Sequence, residues 1–297
     1  MERHDLAWAA GFFDGEGWAN RVGRGTRAQI NQAGRTGLPE VLLRFQWIVG
    51  VGRIDGPDVE EGKIDLYHWV ASSRTDVERV ADLIGPWLCE IKHAQLEHAL
   101  GIALRPMRWP GPTHEELAWA GGFFDGEGST YLLKHRTHKG HFVPEVYVPQ
   151  SGHNGVPSPL LRFHAALDGA GIINGPRNYK SSTPSYRWRT SALHAVPLVL
   201  HRLWPFIGEV KRSQATEVMK VANAQPDLVR GNPAFGVAGC RFCRRGHDKT
   251  AARLRPYKSR GGTRRRSDLS QCLVCVRENA RARHARLSQL RDPDEGL

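Results

Sequence analysis

No apolar run in the sequence comes near the roughly 20 residues that a membrane-crossing helix needs. Nor do the first residues, MERHDLAWAAGFF, have the basic-then-apolar layout of a secretion signal; they carry acids early. Cysteine is scarce, with five in 297 residues, and four of these stand in two C-x-x-C pairs that suit metal better than disulfides. The fifth, Cys89, lies beside Trp87 and Leu88 and reads as a small buried hydrophobe. Acids are in deficit: 30 Asp/Glu face 42 Lys/Arg, for a net charge of +12. These shortages point to a soluble cytoplasmic protein with no membrane partner. The positive surplus favours a polyanion, chiefly nucleic acid. That surplus is local, because residues 240–297 hold 16 Lys/Arg against 6 Asp/Glu, or +10 of the +12.

What the sequence does have is a long internal repeat. LAWAAGFFDGEG at Leu6–Gly17 returns as LAWAGGFFDGEG at Leu117–Gly128, with Ala10 changed to Gly121. Matching blocks follow in the same order. VLLRFQWIVGVGRIDGP (41–57) corresponds to PLLRFHAALDGAGIINGP (159–176), LYHW (66–69) to SYRW (185–188), and GPWLCEIKHAQ (85–95) to WPFIGEVKRSQ (204–214). Two versions of one domain are therefore expected at 1–104 and 113–230, joined by the proline-rich linker 105–112. Residues 231–297 form a separate basic tail. Thr113 and Glu116 have the spacing of a capping box that would start the second motif helix.

Hydrophobic periodicity predicts an α+β fold in which each half reads α-β-β-α-β-β-α. The motif is the first helix. A basic strand pair turns at 23–26 or 138–140, and an amphipathic helix covers 39–49 or 159–167. A second strand pair ends with 66–71 or 186–190, and a last helix covers 76–88 or 194–206.

Within the motif, Ala7, Gly11 and Gly15 share one helix stripe, as do Ala118, Gly122 and Gly126. Small residues at that spacing let two helix backbones approach closely. Phe12, Phe13, Phe123 and Phe124 would fill the cores on either side, and a pseudo-twofold axis would relate the halves within one monomer. Each helix ends in acids, Asp14 and Glu16 or Asp125 and Glu127. Acids at a helix C-terminus oppose the negative end of its dipole. A hard divalent cation, which takes oxygen ligands, reverses that penalty. Glu16 and Glu127 meeting at the axis would hold Mg²⁺ or Mn²⁺ for in-line phosphodiester hydrolysis.

These residues resemble the LAGLIDADG signature of homing endonucleases, in the single-chain form with two motifs; both copies carry Glu where the signature ends in Asp. The resemblance implies a site-specific, metal-dependent endonuclease acting on double-stranded DNA, with the strands of both halves forming a saddle over the duplex. It implies that the last acids, Glu16 and Glu127, coordinate the metal, while Asp14 and Asp125 bond backbone at the helix end. It further implies a basic residue near the scissile phosphate and a polar residue ordering water. Lys92 and Lys211, in a block resembling the family's lysine-bearing strand, fit the first role. Gln32 and Gln150, at the ends of the strands before the amphipathic helices, fit the second.

On that saddle, the first hairpin offers Arg21, Arg24, Arg27 and Gln29, and the second offers Lys134, Arg136 and Lys139 among histidines. Arg and Lys read guanine or hold phosphate, and Gln reads adenine. In the tail, Cys240, Cys243, Cys272 and Cys275 would form a Cys₄ zinc site, or His247 would replace Cys240 in a Cys₃His site. The segment resembles the zinc-knuckle, treble-clef-like tails of some phage and bacterial endonucleases. No His-Asn-His set accompanies it, so the Zn²⁺ reads as structural, stapling a unit too small for its own core. Arg264, Arg265 and Arg266 would clamp phosphates beyond the cleavage site. Two other readings share the architecture: a DNA-binding regulator that does not cut, and an intron maturase whose partner would be RNA.

Overall fold

The computed structural model describes residues 2–23, 25–104, 113–134, 142–177, 183–192 and 195–224, with backbone at 254–256 and 270–272. Two compact units are distinct, Met1–Ala224 and Gln225–Leu297.

In the first unit, α1 (Arg3–Glu16) leads into an antiparallel sheet of β1 (Gly17–Val22), β2 (Gly25–Ala33), β3 (Arg53–Asp58) and β4 (Leu66–Ala71). Helix α2 (Glu40–Val49) separates the strand pairs, and α3 (Arg74–Ile84), a 3₁₀ turn (Gly85–Trp87) and α4 (Glu90–Leu100) follow. The pattern then repeats as α5 (His114–Glu127), β5 (Ser129–Lys134), β6 (Phe142–Ser151), α6 (Ser158–Ala166), β7 (Ile172–Arg177), β8 (Ser185–Thr190), α7 (Ala195–Leu203) and α8 (Glu209–Asn223). Strand orders match, β1-β2-β4-β3 and β5-β6-β8-β7. Even the irregular register recurs, between Asp55 and Asp58 and between Asn174 and Arg177.

This is the expected α+β arrangement of two like halves, with one helix more in each. The lysine-bearing blocks expected on strands form α4 and α8 instead. In α4 the buried positions His93, Leu96, Ala99 and Leu100 recur at helical spacing, and Gly101 ends the helix in the left-handed conformation (φ 69°). The capping box at α5 forms only in part. Thr113 accepts from the Glu116 amide at 3.2 Å, but the Glu116 carboxylate turns inward to Arg162.

Helices α1 and α5 are buried nearly all round, Ala7 through Asp14 and Ala118 through Asp125, as suits a helix that is apolar on every face. They pack against each other at the centre of the unit. Each sheet anchors its core on one tryptophan. The Trp69 and Trp188 indole N–H groups donate to the Val51 and Ala170 carbonyls at 3.0 and 2.9 Å. The chain crosses these rings at Gly52 and Gly171, where a Cβ would lie 2.7 and 2.5 Å from indole atoms. Both glycines also have positive φ, +79° and +82°, so any side chain there is doubly unfavourable.

In the second unit, β9 (Leu254–Pro256) and β10 (Ser270–Cys272) pair antiparallel and set Cys272 opposite Leu254. The linker 105–112, Arg24, Arg136, Lys139, Cys240, Cys243, His247, Arg264, Arg265, Arg266 and Cys275 lie outside the described residues. Among the described residues, no helix is long and apolar enough to cross a membrane.

Candidate functional site

The site begins where α1 and α5 come closest. A Cβ on Gly11 would sit 1.9 Å from the Trp119 carbonyl oxygen, and one on Gly122 would sit 1.9 Å from that of Trp8. Only glycine permits that approach. One turn on, the glutamates cross: a Cβ on Gly126 would lie 3.0 Å from Glu16 Cγ, and one on Gly15 would lie 3.2 Å from Glu127 Cγ. Each half-buried glutamate thus rests on the opposite helix's glycine, and the two carboxylates share one place.

The other acids face inward. Asp14 is 2% exposed and accepts from the Cys89 amide with both oxygens, at 3.1 and 3.0 Å. Asp125, 1% exposed, accepts from the Gly208 amide at 2.8 and 2.9 Å. Cys89 and Gly208 are the N-caps of α4 and α8, so each aspartate fixes the start of a helix. Backbone bonding was expected of these acids. What they bond is the start of the last helix in the same half. Their second partners come from the other half: Trp119 Nε1 donates to Asp14 at 2.9 Å, and Trp8 Nε1 donates to Asp125 at 3.0 Å.

Lys92 and Lys211 are the third residues of α4 and α8. Their ammonium groups donate to the Gly17 and Gly128 carbonyls, the latter at 2.5 Å, just beyond Glu16 and Glu127. Gln150 Nε2 donates to Glu127 Oε1 at 2.8 Å, and Gln32 takes the matching position on β2. Electrostatics tie these groups together. Burial pushes both glutamates above the usual carboxylate range, and Glu127, which also faces the charge of Glu16, is pushed up to about 7. Burial lowers Lys92 and Lys211 from the usual ammonium range, while both glutamates and a nearby aspartate oppose that shift. Among the described residues, no group of three or more His, Cys, Asp or Glu side chains could hold a metal ion.

The sheets turn one face to the helices, and alternate residues to the other. On that outer face of the first half, the Gln29 amide donates to Asn31 Oδ1, which lies 2.8 Å from His68 Nδ1. The Arg27 guanidinium lies 5.9 Å from the Trp18 ring centroid. Arg21 is exposed, but its Nε donates to the His98 carbonyl at 3.2 Å and ties β1 to α4. In the second half, Glu145 takes the place of Arg27 and Tyr147 that of Gln29. Tyr131 donates to Glu145 at 2.6 Å, and Arg189 reaches the same carboxylate at 3.2 Å. Lys134 is exposed at the end of β5. The two outer faces therefore differ in chemistry although their backbones match.

The sequence reading missed a set of residues around the tryptophans. Arg162 donates to Glu116 at 2.8 and 2.7 Å, and its guanidinium lies 4.2 Å from the Trp119 ring centroid. Arg44 lies 3.9 Å from that of Trp8 and donates to the Phe206 carbonyl at 2.6 Å. The signal was present: both copies of the LLRF block keep an arginine among apolar residues.

No family model and no curated protein matches the sequence. Solved structures do resemble the chain. The LAGLIDADG homing endonuclease I-GzeII, in complex with its DNA target, covers 75% of this chain and 91% of its own at 15% identity, with a TM-score of 0.54. The LAGLIDADG meganuclease I-AabMI, bound to uncleaved DNA, covers 77% and 93% at 15% identity, with a TM-score of 0.51. At this identity the likeness establishes the fold: two α+β halves in the LAGLIDADG arrangement.

Proposed function

We propose, with the LAGLIDADG fold as premise, that this protein is a site-specific, metal-dependent endonuclease cutting double-stranded DNA at a long, asymmetric site. One observation carries the reading. At the junction of α1 and α5, two glutamates rest on opposite glycines with a half-buried lysine from each half beside them. Both similar structures hold DNA, which supports the same partner here.

Glu16 and Glu127 would hold the divalent cation, Mg²⁺ or Mn²⁺. Two carboxylates suit Mg²⁺, which keeps several waters and takes phosphate oxygens for its remaining positions. Two like charges at paired helix ends also give a cation something to offset. Bound there, the cation would polarise the phosphate and acidify an attacking water. Lys92 and Lys211 would turn their ammonium groups to the charge developing on the phosphate. Gln150, already bonded to Glu127, and Gln32 at the equivalent place would orient water through their amides.

The outer sheet faces would lie along the major groove. Gln29 would read base edges, while Arg21, Arg24, Arg27, Lys134, Arg136 and Lys139 would read guanine or hold phosphates. Because the two faces differ, the two half-sites would differ in sequence. In the tail, Zn²⁺ on four of Cys240, Cys243, His247, Cys272 and Cys275 would staple a module whose Arg264, Arg265 and Arg266 add salt-sensitive phosphate contacts. The protein would work as a monomer in the cytoplasm.

The test is selection of cleaved members from a randomised duplex library with Mg²⁺. The wild type should cut a recoverable target, and Glu16→Gln and Glu127→Gln should each bind that target without cutting it. A wild type that binds duplex tightly yet cuts no member is a regulator. One that prefers structured RNA is a maturase.

A further inference from the structure

The geometry points to Trp8 and Trp119 as positioning residues that act across the pseudo-twofold axis, each setting the lysine of the opposite half. The chain of contacts is short. Trp119 of α5 donates to Asp14 of α1 at 2.9 Å. Asp14 holds the Cys89 amide at the start of α4, and Lys92 follows three residues later. In mirror image, Trp8 of α1 donates to Asp125 of α5 at 3.0 Å, Asp125 holds the Gly208 amide, and Lys211 follows three residues into α8.

The tryptophans are themselves immobilised. Both are fully buried. Trp8 stacks on Phe12 with centroids 5.3 Å apart, and Trp119 stacks on Phe123 at 5.2 Å. Arg44 and Arg162 lie against the same two rings. A phenylalanine would fill most of that volume, so the indole N–H is the part whose function needs explaining. Buried, it demands an acceptor, and the aspartate demands a further donor. Together they fix the carboxylate's rotation, and through it the first turn of the helix that carries the lysine. A lysine displaced by about 1 Å would lose much of its effect on a phosphate. The crossed wiring registers each lysine to the partner motif helix, the one that supplies the second glutamate.

The role given to the lysines rests on the proposed cleavage reaction; the wiring does not. The first measurement is therefore hydrogen exchange by mass spectrometry on the full chain, without DNA. Trp119→Phe should speed exchange at residues 89–92 roughly tenfold, as loss of one buried hydrogen bond to a charged group would, and leave 208–211 unchanged. Trp8→Phe should do the reverse. Equal effects of both variants on both segments, or no effect, would overturn the assignment. The second measurement uses the target recovered from the library. Trp119→Phe should slow the strand that Lys92→Met slows, by on the order of 10- to 100-fold, without changing Kd, so that nicked DNA accumulates. Trp8→Phe should match Lys211→Met on the other strand. Slowing of the wrong strand, or of both alike, sinks the proposal. If the wild type cuts nothing, the cleavage reading fails and the exchange result alone decides the wiring. Should Trp119→Phe not fold, benzothienylalanine at position 119, which keeps the bicyclic ring and lacks only the N–H, serves in both measurements.

Discussion

Arg162→Met tests how the centre of the fold is held. Arg162 is 1% exposed and Glu116 2%. The guanidinium donates to both carboxylate oxygens at 2.7 and 2.8 Å, to the Trp87 carbonyl, and covers the Trp119 ring. Methionine keeps most of the stem's volume but strands the buried carboxylate. Removing one partner of a buried pair costs about 3–5 kcal/mol, most of it from the charge left behind. The double variant Glu116→Leu/Arg162→Met should recover most of that loss, because no charge remains to be desolvated. In the first half, Arg44 leans on Asp125, which already has the Gly208 and Trp8 donors, and on the less buried Asp5 and Glu40. Arg44→Met should therefore cost less, about 1–2 kcal/mol. Urea denaturation followed by tryptophan fluorescence measures all three. All nine tryptophans lie at or before Trp204, so the signal reports the unit Met1–Ala224 and not the tail. A loss below about 1 kcal/mol for Arg162→Met, or a double variant no more stable than the single, would refute the reasoning.

Other consequences can be checked with the same material. Gly11→Ala or Gly122→Ala sets a methyl 1.9 Å from a carbonyl oxygen and should cost about 3 kcal/mol or more, or leave no folded protein; a melting temperature within two degrees or so of wild type would contradict it. Burial pushes Asp14 and Asp125 up to about 6, against their hydrogen bonds. The folded chain then keeps protons that the unfolded chain releases above pH 3.8, so these two groups make stability fall as pH rises through 3.8 to about 6, and Glu127, pushed up to about 7, carries the fall a little further. Asp125→Asn should reduce that slope in urea midpoints, and an unchanged slope would reject the assignment. The purified chain should carry one zinc by elemental analysis, and Cys272→Ser should lower it; a zinc-free wild type would remove the staple from the tail.

Much of this could be read from the chain because it is written twice. The stripe Ala7, Gly11, Gly15 and its copy announced two touching helices, and the touching helices bring Glu16 and Glu127 together. The Trp–Asp pairs could not be read, since the partners lie 105 and 117 residues apart and Trp8 looks like one more apolar residue on a buried helix. The lysine block misled for a different reason. In isolation E-I-K-H-A-Q is too short to show a period, and α4 owes its start to Asp14, 75 residues upstream. Glu116 showed the limit of local rules: its spacing from Thr113 suits a cap, but a buried arginine from α6 competes for the carboxylate and wins.

The crossed tryptophans also say something about interchangeability. Each half brings one indole donor and one carboxylate acceptor, and each receives the complement from across the axis. Such an interface is self-complementary, so it carries no mark that distinguishes a half from a second copy of itself. Partner choice is then left to the covalent linker, which keeps the two at high effective concentration. The halves are free to drift apart on the outer faces of their sheets, and chimaeras made by exchanging whole halves must preserve this pair of bonds, the glycine crossing and the two arginines that reach across, Arg44 to the Phe206 carbonyl and Arg162 to the Trp87 carbonyl.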